Sequence, residues 1–135
     1  MAQTMEINGL NKKQLDELRE SLLEKRQVLI KSVEILRARA TEINPDDIIE
    51  EIDQATANQI QTVQLRVLDK EYKLLREVNR ALEKFDAGEY GLCEGTEEPI
   101  GYPRLRVRPW ARYSIDYAEE KERVARQVSS RLPGR

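Results

Sequence analysis

Asn44-Pro45-Asp46-Asp47-Ile48-Ile49-Glu50-Glu51-Ile52-Asp53-Gln54-Ala55 decides the fold, because it interrupts two long helical patterns with a turn signal and a run of charge. Pro45 lacks an amide hydrogen and pushes Asn44 out of the α region, which argues against a single continuous rod. The stretch carries five carboxylates, Asp46, Asp47, Glu50, Glu51 and Asp53, and no basic residue. A segment so charged is not built for burial. Two readings remain, an ordinary solvated turn or a probe held out toward something cationic.

Upstream, Leu15, Leu22, Leu29, Leu36 and Ile43 recur at intervals of seven, and Leu18, Val33 and Ala40 fall on the same side. Charged residues such as Arg19, Glu20, Glu24 and Arg26 fill the other faces. This is a coiled-coil seam on a helix capped by Asn8 or Asn11. From about Asn11 to Ile43 such a helix is roughly 50 Å long. Downstream, Ile60, Val67, Leu74 and Ala81 again repeat by seven, joined by Val63, Val78, Leu82 and Phe85. The pattern stops at Asp86-Ala87-Gly88, where Gly88 suits the left-handed end of a helix. Two arms and a short link predict an antiparallel hairpin with an acidic tip, expected to be monomeric; pairing between two chains is the alternative. The expected organisation is a tail at 1–10, a coiled-coil hairpin over 11–87 with its tip near 44–55, and a distinct end over 88–135.

Composition agrees with this layout. Of 135 residues, 36% are charged and 5% aromatic, which suits long exposed helices and a modest core better than a compact enzyme. The net charge of −2 conceals an asymmetry, since Tyr102 to Arg135 holds nine basic and four acidic residues. No apolar run approaches the length of a membrane span, and Met1-Ala2-Gln3-Thr4-Met5-Glu6 is unlike a secretory leader, so a cytoplasmic location is expected. A single cysteine, Cys93, excludes an internal disulfide, and the absence of histidine excludes imidazole chemistry.

From Glu89 the pattern changes. Turn formers dominate Tyr90-Gly91-Leu92-Cys93 and Glu98-Pro99-Ile100-Gly101-Tyr102-Pro103, after which Arg104-Leu105-Arg106-Val107-Arg108 alternates charged and apolar residues as a short strand does. Ser114 to Ser130 is helix-like again, with Ile115, Ala118, Val124 and Val128 as apolar contacts.

Phe85-Asp86-Ala87-Gly88-Glu89-Tyr90-Gly91-Leu92-Cys93-Glu94, followed in register by Ile100-Gly101, Arg104-Leu105, Arg108-Pro109 and Ile115-Asp116, resembles the zinc-finger region of the DksA/TraR family. These are bacterial regulators that bind RNA polymerase, and they carry a long antiparallel coiled coil ahead of the finger, so the resemblance covers most of the chain. The family's Cys-x2-Cys-x17-Cys-x2-Cys pattern falls here on Cys93, Thr96, Ser114 and Tyr117. One thiolate remains. Structural zinc takes four good donors, and hydroxyls and phenols are not usual ones. The chain therefore resembles the cysteine-poor, zinc-independent branch, and no zinc is expected. Tyr102, Trp110, Tyr113 and Tyr117, with Pro99, Pro103 and Pro109, are the candidates to hold the end together instead. With no histidine to activate it, Cys93 reads as an inert remnant.

The family's Asp-x-x-Asp-x-Ala tip motif appears as Glu50-Glu51-Ile52-Asp53-Gln54-Ala55, in which Asp53 and Ala55 match and Glu50 replaces the first aspartate. The resemblance implies that the tip enters the secondary channel of RNA polymerase, where a carboxylate can accept charge-assisted hydrogen bonds or act near the catalytic magnesium. It also implies ppGpp as a candidate effector. Arg108 and Leu74 match positions implicated in that contact, while Glu77 and Ala118 replace two lysines, with Lys73, Arg76 and Arg104 nearby. The expected protein is mostly α, a non-enzymatic transcription regulator made of a long antiparallel coiled-coil hairpin, a small degenerate zinc-finger-like end and a C-terminal helix. Membrane association and direct DNA binding are not expected. The alternatives are a transcript-cleavage factor of the Gre type, with acidic tip residues holding a second metal, and a nucleic-acid-binding adaptor using Arg104, Arg106 and Arg108.

Overall fold

The computed structural model describes residues 6–42 and 54–130. Among them, four helices follow in order: α1 (Lys12–Glu42), α2 (Gln54–Ala87), α3 (Tyr102–Val107) and α4 (Ile115–Ser130). The long pair α1 and α2 forms the coiled-coil hairpin, and α3 and α4 follow it. The predicted tip residues Glu50 and Asp53 lie outside the described residues, whereas Ala55 is exposed in the first turn of α2.

The chain divides into two compact units, Met1–Leu22 with Arg80–Arg135, and Leu23–Asn79. Within the second, Leu29, Val33 and Val78 are buried, while Leu36, Gln64, Leu68 and Leu75 are half-buried. The α1 seam follows the predicted heptads. The α2 seam follows them only in its second half, where Val78 and Ala81 are buried; in its first half Ile60, Val63 and Val67 are 38%, 57% and 42% exposed. Positions 64, 68, 75 and 78 keep the alternating steps of three, four and seven that face one partner helix continuously, and an apolar stripe beside them stays in solvent.

Both ends of the helical pair are defined by local chemistry. The Gln14 N–H donates to Asn11 Oδ1 at 2.8 Å and the Asn11 N–H to Gln14 Oε1 at 3.0 Å, a reciprocal capping box that starts α1. At the end of α2, Gly88 takes φ 73°, the Gly88 N–H donates to Phe85 O at 3.3 Å and the Glu89 N–H to Lys84 O at 2.9 Å. Those two bonds make a Schellman motif, which only a residue comfortable at positive φ closes without strain.

Of the two candidate caps, Asn11 serves and Asn8 does something else. Asn8 and Gly9, at φ 57° and 82°, form a tight turn closed by mutual hydrogen bonds between Ile7 and Leu10. The turn drives Leu10, read from sequence as part of a tail, to 0% exposure. Asn8 Nδ2 donates to Gly88 O at 3.1 Å and Tyr90 O at 2.8 Å, pinning the turn to the stretch that follows α2.

The strand expected at Arg104–Arg108 is instead α3. In a strand Leu105 and Val107 share a face; here Leu105 is 0% and Val107 73% exposed, as helical spacing requires. Pro103 in the first turn supplies a preset φ where no amide partner is needed.

Candidate functional site

After α2 the chain makes two limbs. The first contains Cys93 and Thr96, the second Ser114 and Tyr117, and the structure brings these four positions together. Cys93 is 1% exposed. Burial pushes its thiol up, but hydrogen bonds from the Thr96 hydroxyl and from the main-chain amides of Ser114, Thr96 and Gly95 outweigh this and bring it to about 6. Four donors thus converge on one sulfur, two of them main-chain groups of its own limb and one from the opposite limb. Ser114 Oγ accepts from the Tyr117 N–H at 3.3 Å, starting α4, and the Tyr117 ring lies flat against Gly95, leaving no room there for a Cβ. Ser114 Oγ therefore serves as a cap and the Tyr117 ring as a packing group. With a single thiol among three hydroxyl-bearing side chains, the donor set does not fit structural zinc. Among the described residues no group of three or more His, Cys, Asp or Glu is placed to hold a metal ion.

The aromatics divide the work differently from the sequence expectation. Tyr113 and Tyr117 do meet, with ring centroids 5.2 Å apart. Trp110 is only half-buried, and the Tyr102 hydroxyl points outward to donate to Glu17 Oε2 at 3.0 Å. The buried ring is Tyr90, stacked on Phe85 at 4.0 Å. Its hydroxyl donates to Pro109 O at 2.8 Å, and burial raises its pKa above the ordinary phenol value. Around Leu10, Leu105 and Pro109, this residue forms the core of the end.

Sequence reasoning missed Glu94. Its carboxylate takes Arg112 Nε at 2.6 Å and Lys84 Nζ at 3.3 Å on Oε2, and Arg80 on Oε1. Partial burial opposes its ionisation, but the hydrogen bonds from Arg112 and Arg80 and the charge of Lys84 prevail and hold it at about 2. The Glu94 N–H also donates to Arg112 O at 2.8 Å. Nothing in the spacing of Arg80, Lys84, Glu94 and Arg112 marks them as one cluster.

Of the residues matched to a ppGpp contact, Arg108 is exposed just past α3 and Leu74 is half-buried in α2; the two belong to different units. Arg104 Nε donates to Tyr113 O at 2.9 Å, so this arginine holds the second limb. Arg106 and Arg108 remain exposed.

A helical hairpin followed by a two-limbed knuckle defines a class, that of coiled-coil proteins with a terminal zinc-finger fold, here with three of four cysteines replaced. The prokaryotic dksA/traR C4-type zinc finger family matches residues 88–123. The RNA polymerase-binding transcription factor DksA of Caulobacter vibrioides is 34% identical over 119 residues, covering 87% of this chain and 82% of that protein. The DksA of Haemophilus influenzae is 35% identical over 77 residues, 57% of this chain and 53% of that one. The structure of transcription factor DksA2 from Pseudomonas aeruginosa matches with a TM-score of 0.71 at 35% identity, covering 85% of this chain and 88% of that one. The chain belongs to the DksA/TraR family.

Proposed function

We propose that this protein regulates transcription by binding RNA polymerase directly, as a monomer and without catalysis, with its coiled-coil tip entering the polymerase's secondary channel. The observation that carries the reading is the identity of 34% shared over most of both chains with a relative named for RNA polymerase binding. The tip motif supports the mode of action. Asp53 is the effector, its carboxylate accepting charge-assisted hydrogen bonds from basic polymerase groups, with Glu50 beside it. Ala55, exposed at the start of α2, keeps the approach open because its side chain is a single methyl. Arg106 and Arg108, exposed on the globular end, supply positive charge for docking outside the channel.

The same reading makes the protein a zinc-free member of its family, since the positions of the C4 pattern hold one thiol, two alcohols and a phenol. A ppGpp contact draws on Arg108 and Leu74 alone of the matched positions, so the response to the alarmone is expected to be weaker than in a protein with both lysines. Affinity capture on the tagged protein tests the central claim: RNA polymerase subunits are retained from a bacterial lysate, and purified polymerase changes its output at responsive promoters when the protein is added. Failure to bind purified polymerase overturns it. Cleavage of RNA in backtracked complexes, absent here by expectation, assigns the protein instead to the transcript-cleavage factors.

A further inference from the structure

A C4 finger is closed by a metal that ties one limb to the other. Here the donor set does not fit zinc, yet the limbs are tied, and the ties can be named. Cys93 Sγ accepts from the Ser114 amide, and the Tyr117 ring covers Gly95. The third tie is of another kind. Glu94, one residue past Cys93, is bonded through its amide and its carboxylate to Arg112, two residues before Ser114. The same carboxylate reaches Arg80 and Lys84, which lie four apart on one face of α2. A single side chain thus joins the first limb, the second limb and the end of the long helix.

We infer that the Glu94 carboxylate, held by Arg112, Lys84 and Arg80, is an ionic latch that closes the finger remnant on the end of α2 in place of a metal, so that closure responds to ionic strength. The charge count explains why it acts as a latch. Three cations share one anion, and without that anion Arg80, Lys84 and Arg112 repel one another across the joint they now close. Glu89 and Glu97 line the same cleft as Lys84 and Cys93 and are both exposed, so neither replaces Glu94 at the centre of the cluster. Exposure sets the response to salt. The Lys84 and Glu94 side chains are 14% and 19% exposed, against 35% and 52% for Arg112 and Arg80. Screening therefore acts first on the outer cations, and the inner pair holds longest.

The test is hydrogen exchange on the full-length protein, reading residues 92–117 against the middle of α2, with Trp110 fluorescence as a second probe of the same region. In the wild type, exchange over 92–117 rises about fivefold between low salt and about 1 M sodium chloride, while the middle of α2 is unchanged and a strong chelator has no effect. In Glu94→Gln the region exchanges at least about tenfold faster at low salt, and added salt no longer loosens it because it now screens repulsion among cations. Arg106→Gln, which removes an arginine outside the cluster, keeps the wild-type response. A wild type indifferent to salt, a chelator that opens the finger, or a Glu94→Gln variant that keeps wild-type exchange each overturns the latch. If Glu94→Gln loses its helical circular dichroism, Arg80→Gln decides: a salt response smaller than wild type supports the latch and an unchanged one refutes it.

Discussion

Among the described residues the unit Leu23–Asn79 buries Leu29, Val33 and Val78, all aliphatic and on helical stripes, whereas the other unit adds to the seam residues Leu18, Leu22 and Ala81 the side chains of Leu10, Tyr90, Cys93 and Leu105, which come from four unrelated local patterns. The coiled coil repeats one kind of contact, so each contact is replaceable by its neighbour's. At the globular end each tie occurs once: the Asn8 amide on two carbonyls, the Tyr90 hydroxyl on Pro109, and Glu94 on three cations. A metal concentrates such ties at one point. Here the ties are spread over apolar, hydrogen-bonded and ionic partners.

The largest expected effects come from the two cores, and they break the comparison if they coincide. Leu105→Ala and Leu29→Ala each remove a side chain that is 0% and 2% exposed, at a cost of about 2–5 kcal/mol. Leu105→Ala lowers the midpoint of the Trp110 fluorescence transition and spares helical circular dichroism. Leu29→Ala does the reverse. A Leu105→Ala variant that melts by both probes at once shows that the two regions stand or fall together.

Acid sharpens the contrast next. Glu94, held at about 2 against an ordinary 4.5, has a depressed pKa, so its stabilisation is fully present above pH 4.5 and is lost as the pH falls toward 2. The shift sets an upper bound of roughly 3 kcal/mol, which solvent screening at the half-exposed Arg80 lowers. Wild-type melting by Trp110 fluorescence falls through that window, and the difference from Glu94→Gln closes there; a difference constant with pH shows that the carboxylate's charge contributes nothing.

Asp53→Asn separates the regions by function. Under the proposed mechanism it removes the effector charge without changing size, so regulation is expected to be nearly lost while polymerase affinity stays within a few-fold. The interaction removed is worth about 1.5–3 kcal/mol if it is a charge-assisted hydrogen bond. Competition binding beside a promoter-specific transcription assay reads both quantities, and a variant that binds and regulates normally makes the acidic stretch a solvated turn.

What could be read in advance follows the same division. Leu15 to Leu36 announces a seam because coiled-coil packing is periodic, and Gly88 announces a stop because a helix end needs positive φ. Periodicity misled where apolar residues were in surplus: Ile60, Val63, Leu65 and Val67 crowd one part of α2, and the more apolar stripe is not the one continuous with Leu75 and Val78. It misled again at Arg104–Arg108, too short for a period of two to be told from one of 3.6. Asn8-Gly9 carries a turn signal, but its consequence, the burial of Leu10, depends on Gly91 and Pro99 some eighty residues away. Glu94 carries no local signal at all, because an ion cluster is a property of the fold.

A smaller effect is expected at the start of α1. Asn11→Ala removes one half of the reciprocal cap and leaves the Gln14 amide to water, at a cost of about 1 kcal/mol. Helical circular dichroism should report it, with little change in Trp110 fluorescence. An effect confined to the globular end shows that the cap acts through Leu10 beside it.

At acid pH the smallest effect is expected at the one position where the family's metal pattern survives. At pH 6, where about half of the thiol is ionised, Cys93→Ser replaces it with a hydroxyl that still accepts from Thr96 and the surrounding amides, so the cost is about 1 kcal/mol. The sign of its pH dependence follows from the depressed thiol pKa, about 6 against 9.0 unfolded. Wild-type stabilisation is complete above pH 9 and is lost as the pH falls through 6, while serine remains neutral throughout. The gap between wild type and variant therefore widens from pH 6 to pH 8, by no more than about 1.4 kcal/mol per unit. Equilibrium denaturation at the two pH values, with and without strong chelator, tests this against the zinc alternative. A metal-held finger loses several kcal/mol to chelator or to Cys93→Ser at both values. A finger closed by hydrogen bonds and the Glu94 cluster ignores the chelator and separates from its serine variant only as the thiol ionises.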